Sequence, residues 1–589
     1  MVRSTHECAA TRKVCCQMTH RSLPSRGPGA ASLACGLGAL LAMSWLPACG
    51  TDSPVARDLD PASVATLQQQ IHALPFDLRP LSTEPVPQPF IIEPVLPTVG
   101  TIINQQAAIR LGKALFWDIQ AGSDGQVACA ACHASFGSDA RRFNTLYPGL
   151  DEIFDSGGVT GPGQLFTPTL ISNDDIVGAQ GVAHGQFVRI NPDPHIAADD
   201  CTPIADPLFG AERQVEARQA PMIYGAVFSR QLFWAGEASD EWNGTTIWGF
   251  RGNNLGPTFI HLGNSALASQ AVGPPNNSVE MRCVGRPLLG PLGLAGKMLA
   301  RQPLQFQRVS PRDSVLGALA NPGGPGLICN GAPCTYGAMI AEAFDAATSN
   351  AVLASTANRG TFTIIWGLAI QAYEQTLIPD RTPFDRFFGG HLGALTPRQI
   401  LGLVTFVGRG NCATCHAGPM LSDASTSFFL ANGALNRDGG DQGFHNIGLL
   451  EDAIDLGRGD VGPGGVRFTV SSSQFDNFAF KTPTLRNVGL TAPYFHTGVK
   501  PTLEDVVDFY DRGGDFPNVE KSADIRPLHL TAIEKAALVD FMANALTDCR
   551  VAKQKAPFDH PELPVPNGTA LGAVGAEGIG SCDHEDRDD

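Results

Sequence analysis

Charged residues, and basic residues above all, are scarce in this sequence. Asp, Glu, Lys and Arg make up 17% of the 589 residues, and 57 acidic side chains against 41 basic ones leave a formal net charge of −16. A surface of this sign repels phosphate groups, which argues against a nucleic acid or an anionic membrane surface as a partner. Alternating strand patterns are few, and no short repeat is present. Hydrophobic residues, at 43%, still suffice for sizeable cores.

Long apolar runs are absent except for residues 30–46. Basic side chains precede that run, and Leu46-Pro47-Ala48-Cys49 follows it. This order is typical of an export signal, and the tetrapeptide resembles a bacterial lipoprotein signal in which the cysteine is acylated. We therefore expect residues 1–48 to be a signal peptide and the mature protein to be periplasmic, held at a bacterial membrane by a lipid on Cys49, with plain secretion as the alternative. No other segment is long and apolar enough to span a bilayer.

Two copies of the motif Cys-x-x-Cys-His occur 283 residues apart. Each supplies two thiols and one imidazole: Cys129, Cys132 and His133 in the first, and Cys412, Cys415 and His416 in the second. Two thiols at this spacing can reach the two vinyl groups of one haem, and the adjacent histidine then ligates the iron. A single copy is also compatible with a zinc half-site or a redox pair. Two copies in an exported chain predict two covalently attached haem c groups.

Six further cysteines remain if Cys49 is lipidated, and an even number in an oxidising compartment predicts up to three disulfides. Cys329 and Cys334 enclose a turn-forming loop, so we expect them to pair. The pairing of the other four stays open, with Cys201–Cys283 and Cys549–Cys582 as one arrangement.

The chain divides into five segments by composition and periodicity. They are a signal peptide (1–48), a Pro-rich N-terminal segment (49–100), a first cytochrome c-like haem domain with insertions (101–395), a second such domain (396–560) and an acidic flexible tail (561–589). Helical periodicity recurs at residues 106–117, 361–377, 396–407, 502–510 and 531–546. Residues 141–215 read as long loops because they are rich in Gly, Pro and Asp. The sequence thus predicts a mainly α protein of two haem-binding domains, with long loop-rich insertions in the first.

Several further motifs resemble those of bacterial di-haem cytochrome c peroxidases and the related MauG enzymes. The matching stretches are residues 111–118, 232–236, 278–281, 481–488 and 491–498, and they run in family order. The resemblance covers residues 105–550, whereas residues 141–215 and 235–269 exceed the compact family members. It implies a peroxide-reacting N-terminal haem and an electron-transferring C-terminal haem.

The resemblance assigns roles around the first haem. His133 corresponds to the proximal ligand, and Glu280 to the distal acid/base that moves a proton from the inner to the outer peroxide oxygen. Gln270 corresponds to a distal amide that orients peroxide by hydrogen bonding. A solvated surface carboxylate is the alternative for Glu280. Peroxidases that need reductive activation have a distal histidine soon after the first motif, whereas this chain has none between His133 and His184. The resemblance therefore implies an open sixth position on the first haem as isolated, with His184 or His195 as a ligand in the alternative.

Around the second haem the resemblance points toward MauG. His416 corresponds to the proximal ligand, and Tyr510 stands where the peroxidases have a distal methionine and MauG has tyrosine. A phenolate favours ferric and higher oxidation states. Trp234 corresponds to the tryptophan that relays electrons between the two haems, and a plain core aromatic is the alternative.

Family members often hold a calcium ion between the two domains. The backbone carbonyls of Thr491 and Pro493 match two of its ligands, and Gln219 stands where the family has an asparagine. The longer side chain keeps an amide oxygen but moves it, so calcium stays an open expectation.

The expected activity is reduction of hydrogen peroxide at the N-terminal haem, with electrons relayed from the C-terminal haem. The electron source would be a small redox protein or an oxidisable residue of a protein substrate. One alternative is a dioxygen-using enzyme that resembles rubber oxygenases, which predicts a wide apolar pocket built by the insertions. Another is a non-catalytic electron-transfer cytochrome, which predicts that Glu280 lies away from the haem.

Overall fold

The computed structural model describes residues 61–93, 100–167, 174–251, 258–354, 361–451, 454–462 and 465–582. The predicted signal peptide and Cys49 lie outside these residues. The helices are α1 (Pro61–His72), α2 (Gln105–Trp117), α3 (Cys129–Cys132), α4 (Ala266–Ala271), α5 (Leu294–Leu299), α6 (Tyr336–Ala343), α7 (Ala346–Ala354), α8 (Thr361–Glu374), α9 (Pro383–Phe388), α10 (Pro397–Val407), α11 (Thr426–Asn432), α12 (Leu503–Arg512), α13 (Ala532–Asp540) and α14 (Cys549–Ala552). In this part of the chain no helix is long and apolar enough to cross a membrane.

The strands are short and pair only two at a time among the described residues. They are β1 (Phe90–Ile91), β2 (Leu146–Tyr147), β3 (Ile176–Val177), β4 (Gln180–Ala183), β5 (Gly185–Arg189), β6 (Asp200–Pro203), β7 (Arg213–Val215), β8 (Leu262–Gly263), β9 (Ile328–Cys329), β10 (Ala332–Pro333), β11 (Phe444–His445), β12 (Val461–Gly462), β13 (Val466–Arg467) and β14 (Phe480–Lys481). The antiparallel pairs are β1–β8, β2–β3, β4–β7, β5–β6, β9–β10, β11–β14 and β12–β13. The expectation of a mainly helical chain is therefore confirmed.

Several helices start where a side chain satisfies a free backbone amide. Asn104 caps α2 by accepting a hydrogen bond from the Ala107 amide. Reciprocal capping boxes start α10, α12 and α13, and Thr531 caps α13 as predicted. These capped helices precede or follow the two Cys-x-x-Cys-His motifs.

The helix that precedes each motif crosses a later helix at a glycine. A Cβ atom on Gly112 of α2 would lie 1.8 Å from the carbonyl oxygen of Ala369 in α8, and one on Gly402 of α10 would lie 2.2 Å from that of Ala537 in α13. Only glycine permits such an approach of two backbones. The repetition is what a duplicated unit predicts, one helix pair for each motif.

The hydrophobic side chains form two large cores. The first is built on α2, α6 and α8, and the second on α1, α9, α10 and α13. The N-terminal and C-terminal segments each pack in the core that lies farther away in sequence. Val64 and Ile71 of the N-terminal segment pack in the second core. Leu563 and Val565 near the C-terminus pack in the first.

Two expectations need correction. Residues 561–582 do not form a flexible tail, because Leu563 is fully buried and Cys582 is disulfide-bonded to Cys549. Residues 141–215 are not only loops, since they hold β2 to β7; strands of two to five residues are too short to produce a visible alternation. The pair Cys329–Cys334 is confirmed, and Cys201 is bonded to Cys283.

Candidate functional site

Both Cys-x-x-Cys-His motifs present their histidine in the same way. The thiols of the first lie on α3, and those of the second lie on a 3₁₀ turn, Cys412–Thr414, and the next residue. The Nδ1–H of His133 donates to the carbonyl oxygen of Gly137 at 3.0 Å, and that of His416 donates to the carbonyl oxygen of Leu421 at 3.0 Å. A carbonyl partner keeps the proton on Nδ1, so Nε2 can serve as the ligand atom, as in metal-bound histidines. Burial lowers the pKa of both imidazoles, so both are in the neutral, ligating form.

A cavity of about 1030 Å³ lies against the first motif. Cys129, Cys132 and His133 line it, together with Phe116. The volume and the donor set of two thiols and one imidazole fit a haem c group. His133 is the one histidine among the described lining residues. The open sixth position expected for the first haem is compatible with this arrangement: His195 is exposed, and His184 lies 3.6 Å from an Asp206 oxygen outside the lining.

Glu280 and Gln270 line the same cavity. Burial and the neighbouring carboxylate of Glu216 raise the pKa of Glu280 to about 8, although a hydrogen bond from Asn277 acts in the opposite direction. The Asn277 amide donates to Glu280 Oε1 at 2.8 Å and to Glu216 Oε1 at 2.9 Å. The site therefore holds a carboxyl group that can take up and release a proton near neutral pH.

Trp234 also lines the cavity. Its Nε1–H donates to the carbonyl oxygen of Gln219 at 2.7 Å, and its ring centroid lies 6.1 Å from that of His496. The imidazole of His496 stacks on Phe480 at 3.5 Å, and burial lowers its pKa to about 3. The indole is thus held between the first half of the chain and the 491–498 motif of the second half.

Tyr510 lies near the two cysteines of the second motif. Burial raises the pKa of its phenol, and the nearby thiols of Cys415 and Cys412 act in the same direction. Cys415, Asp423 and His445 also bring three potential ligand atoms within 4.8 Å of one another. The Asp423 carboxylate lies 2.8 Å from His445 Nε2, so this pair lies beside the Cys415 thiol of the second motif.

The expected calcium ligands share the cavity. Thr491, Pro493 and Gln219 all line it. The Gln219 side-chain nitrogen donates to the carbonyl oxygen of Asp139 at 2.9 Å, whereas its amide oxygen is buried without a hydrogen-bond partner. A buried amide oxygen without a partner is costly, and a hard cation would satisfy it. Of the three expected ligands, Gln219 is thus the one with an unpartnered side-chain oxygen.

Three residues of the site were missed by sequence reasoning. Glu216 and Asn277 gave no signal, because an inserted strand pair brings them together over a separation of 61 residues. Glu374 did give one, since it is the only charged residue in the helical run 361–377. Its side chain lines the cavity, its Oε2 has no partner, and burial raises its pKa to about 8.

The comparisons with known proteins show a similarity to di-haem cytochrome c peroxidases. Residues 194–392 match the family model described as di-haem cytochrome c peroxidase, a stretch that contains Trp234, Gln270 and Glu280. The resemblance carried by the motifs is thus confirmed.

Curated relatives agree with this family. They include a cytochrome-c peroxidase of a Pseudomonas species, 34% identical over 183 residues, which are 30% of this chain and 47% of the relative. The cytochrome c551 peroxidase of Pseudomonas aeruginosa is 28% identical over 292 residues, 49% of this chain and 56% of the relative. The methylamine utilization protein MauG of Methylorubrum extorquens is 31% identical over 174 residues, 30% and 42% of the two chains. The chain spans about half the length of the curated relatives it matches.

Two solved structures are similar at lower identity. One is a MauG-like protein associated with microbial copper homeostasis, 19% identical with a TM-score of 0.42, covering 81% of this chain and 97% of that chain. The other is the diheme peroxidase BthA from Burkholderia thailandensis, 18% identical with a TM-score of 0.41, covering 83% of this chain and 100% of that chain.

Proposed function

We propose that this protein is a periplasmic di-haem c oxidoreductase that reduces hydrogen peroxide at its N-terminal haem. The observation that carries the proposal is the position of Glu280 in the cavity lined by Cys129, Cys132 and His133. A non-catalytic electron carrier predicts Glu280 away from the haem, so this position favours catalysis.

The residues of the first site have separate roles in binding the haem and in transferring protons. Cys129 and Cys132 would hold the haem through thioether bonds, and His133 would ligate its iron through Nε2. The bound haem supplies an iron that accepts peroxide and exchanges electrons with it. Glu280 takes a proton from the inner peroxide oxygen and returns one to the outer oxygen, and Gln270 orients the peroxide by hydrogen bonding. General acid–base help of this kind contributes about 10²- to 10⁴-fold.

Electrons enter at the second site. Cys412, Cys415 and His416 would hold the second haem, and Tyr510 would ligate it from the distal side. Trp234 would relay electrons toward the first haem. The donor would be a small redox protein or an oxidisable residue of a protein substrate.

Export and anchoring complete the proposal. Three disulfides among the described residues suit an oxidising compartment. A lipid on Cys49 would hold the protein at a membrane. Cys49→Ala should then move the protein from the membrane fraction to the soluble periplasmic fraction, and an unchanged distribution would count against the anchor.

A dioxygen-using enzyme is the second candidate, because the cavity is wide and the insertion contributes to it. Tyr147, Leu150 and Ile176 of the inserted region line it. This candidate predicts consumption of dioxygen with an apolar substrate and no fast reaction of the ferric protein with peroxide.

Glu280→Gln tests the main proposal. The variant should react with peroxide about 10²- to 10⁴-fold more slowly while both haems stay bound, as counted from the haem absorbance of the denatured protein. Glu212→Gln is the matched control, since Glu212 is exposed. Equal peroxide rate constants for the wild type and Glu280→Gln would remove the catalytic role of Glu280.

A further inference from the structure

A second carboxyl group faces the peroxide site. Glu216 lines the cavity with Glu280 and His133, and it comes directly after β7. The Asn277 side-chain nitrogen carries two hydrogens and gives one to each carboxylate, at 2.9 Å to Glu216 and 2.8 Å to Glu280. One neutral amide thus bridges two acidic groups in the same cavity.

The inserted region builds this arrangement. β4 pairs with β7, and the Glu216 amide donates to the carbonyl oxygen of Ala179 at 2.9 Å. The same strand pair holds the Glu280 loop, since the Val182 amide donates to the carbonyl oxygen of Val279 at 3.0 Å and the Gln214 side chain donates to that of Ser278 at 2.9 Å. Asn277 is itself fixed, because its Oδ1 accepts from the Val279 amide at 2.8 Å. Hydrogen bonds of the same strand pair therefore hold both carboxyl-bearing segments.

The charges around the pair do not neutralise two carboxylates. Arg218 faces Glu216, but it forms salt bridges to Glu237 and Asp455 at 2.7 and 2.8 Å. Tyr147 faces Glu216 from β2 and brings no positive charge. The thiols of Cys129 and Cys132 face Glu280, and thioether formation would remove them from titration. Two like charges that accept hydrogen bonds from the same nitrogen repel each other, so the pair retains one proton over an intermediate pH range.

We propose that Glu216 is a second catalytic carboxyl group of the peroxide site and shares a single proton with Glu280 across Asn277. The inference rests on the proposed peroxide reduction. Glu280 as carboxylate accepts the proton of the inner oxygen, and Glu216 as carboxylic acid gives its proton to the outer oxygen. The O–O bond breaks with its electron pair on the outer oxygen, which leaves as water.

The balance closes within one turnover. After the step Glu280 holds the proton that Glu216 has lost, so the pair again carries one proton and one negative charge. Two electrons, supplied through the haem by the electron donor, and two protons from solvent convert the inner oxygen to a second water. A single carboxylate must instead carry one proton from the inner oxygen to the outer oxygen.

The pH dependence of the peroxide reaction tests the pair. The second-order rate constant of the ferric protein with hydrogen peroxide would be measured by rapid mixing for the wild type, Glu216→Gln, Glu216→Asp and the control Glu212→Gln. The wild type and Glu212→Gln should give a bell-shaped profile, because the active pair carries one proton. Glu216→Gln should lose the alkaline limb, rise through one pKa only, and have a maximum at least about tenfold lower. Glu216→Asp should restore the alkaline limb.

The outcomes separate the inference from the proposed function. A wild type that does not react with peroxide at any pH overturns the proposed function. A reactive wild type whose two limbs persist in Glu216→Gln overturns the role of Glu216 alone. A uniformly lower rate with both limbs kept, in Glu216→Gln and Glu216→Asp alike, shows a structural role for Glu216 and also overturns the inference. Haem content measured for each variant shows that the comparison concerns folded, haem-loaded protein.

Discussion

The indole nitrogen of Trp234 donates a hydrogen bond to the backbone carbonyl oxygen of Gln219 at 2.7 Å. The backbone amide of Gln219 in turn donates to the carbonyl oxygen of His496 at 2.7 Å. Trp234, the proposed relay residue, is thus hydrogen-bonded to Gln219, the proposed calcium ligand. Gln219 is in turn hydrogen-bonded to the 491–498 motif. Occupancy of the cation site and the position of the indole are expected to depend on each other.

Replacement of Trp234 tests the relay. Trp234→Phe keeps an aromatic ring but removes the hydrogen bond and the more easily oxidised indole. We expect peroxide to oxidise the first haem at the wild-type rate, while the absorbance change of the second haem slows at least about tenfold, a barrier increase of about 1.4 kcal/mol. Trp248→Phe is the control, because Trp248 lines the same cavity and stacks on Phe468 at 5.5 Å. Unchanged kinetics at the second haem would exclude Trp234 as the relay.

Replacement of Tyr510 tests the distal ligand of the second haem. A phenol buried in an apolar site has a raised pKa, so Tyr510 is neutral unless a cation stabilises its phenolate. Tyr510→Phe should change the spectrum of the second haem and raise its reduction potential, with the first haem unaffected. Tyr494→Phe serves as the control, since the Tyr494 hydroxyl donates to the carbonyl oxygen of Val488 at 3.1 Å. An identical spectrum for Tyr510→Phe would remove Tyr510 as a ligand.

Glu374 predicts a pH-dependent stability. Burial raises its pKa from 4.5 to about 8. The unfolded chain releases this proton near pH 4.5 and the folded chain near pH 8, so between these values the unfolded state binds fewer protons. This group therefore lowers the free energy of unfolding by about 1.4 kcal/mol per pH unit as the pH rises through that window. Glu374→Gln should make the decrease shallower by this amount in denaturant titrations of the holoprotein at pH 5 to 8, while Glu280, whose pKa is also raised to about 8, keeps its own contribution. An equally steep decrease in the variant would contradict the assignment.

The calcium proposal predicts an effect of chelation. Removal of calcium should lower Tm, and added calcium should restore it, because a ligand that binds only the folded state stabilises it. Gln219→Met replaces the unpartnered amide oxygen and should abolish this response. Gln231→Met is the control, since the Gln231 amide oxygen is also buried without a partner but does not line the cavity. An unchanged Tm of the wild type after chelation would show that calcium is not bound.

The parts of the site that could be predicted are those written in short stretches of sequence. Cys129, Cys132 and His133 stand within five residues, and their arrangement follows from one helical turn. Glu280 was found through its neighbours, and its place in the cavity agrees with the expected role. Glu216 could not be found, because its relation to Asn277 depends on the pairing of β4 with β7, which no local pattern reveals.

For the fold as well, local patterns could be predicted and long-range contacts could not. The strongly periodic helices, such as α2 and α8, were predicted close to their observed bounds because one face or the whole helix is apolar. The C-terminal segment was misjudged, since its Gly-rich composition hides two anchors, the buried Leu563 and the disulfide of Cys582. A few long-range contacts there outweigh a composition typical of mobile chain.

The central claim is that the first haem of the ferric protein is open to peroxide, with Glu280 beside it. The most direct measurement mixes fully ferric protein with hydrogen peroxide, without any reductant, and follows the haem absorbance on the millisecond scale. The account predicts an immediate loss of the ferric high-spin spectrum of the first haem, followed by a change at the second haem. No spectral change in either haem would contradict it and would show that the first haem is blocked or that peroxide is not the oxidant.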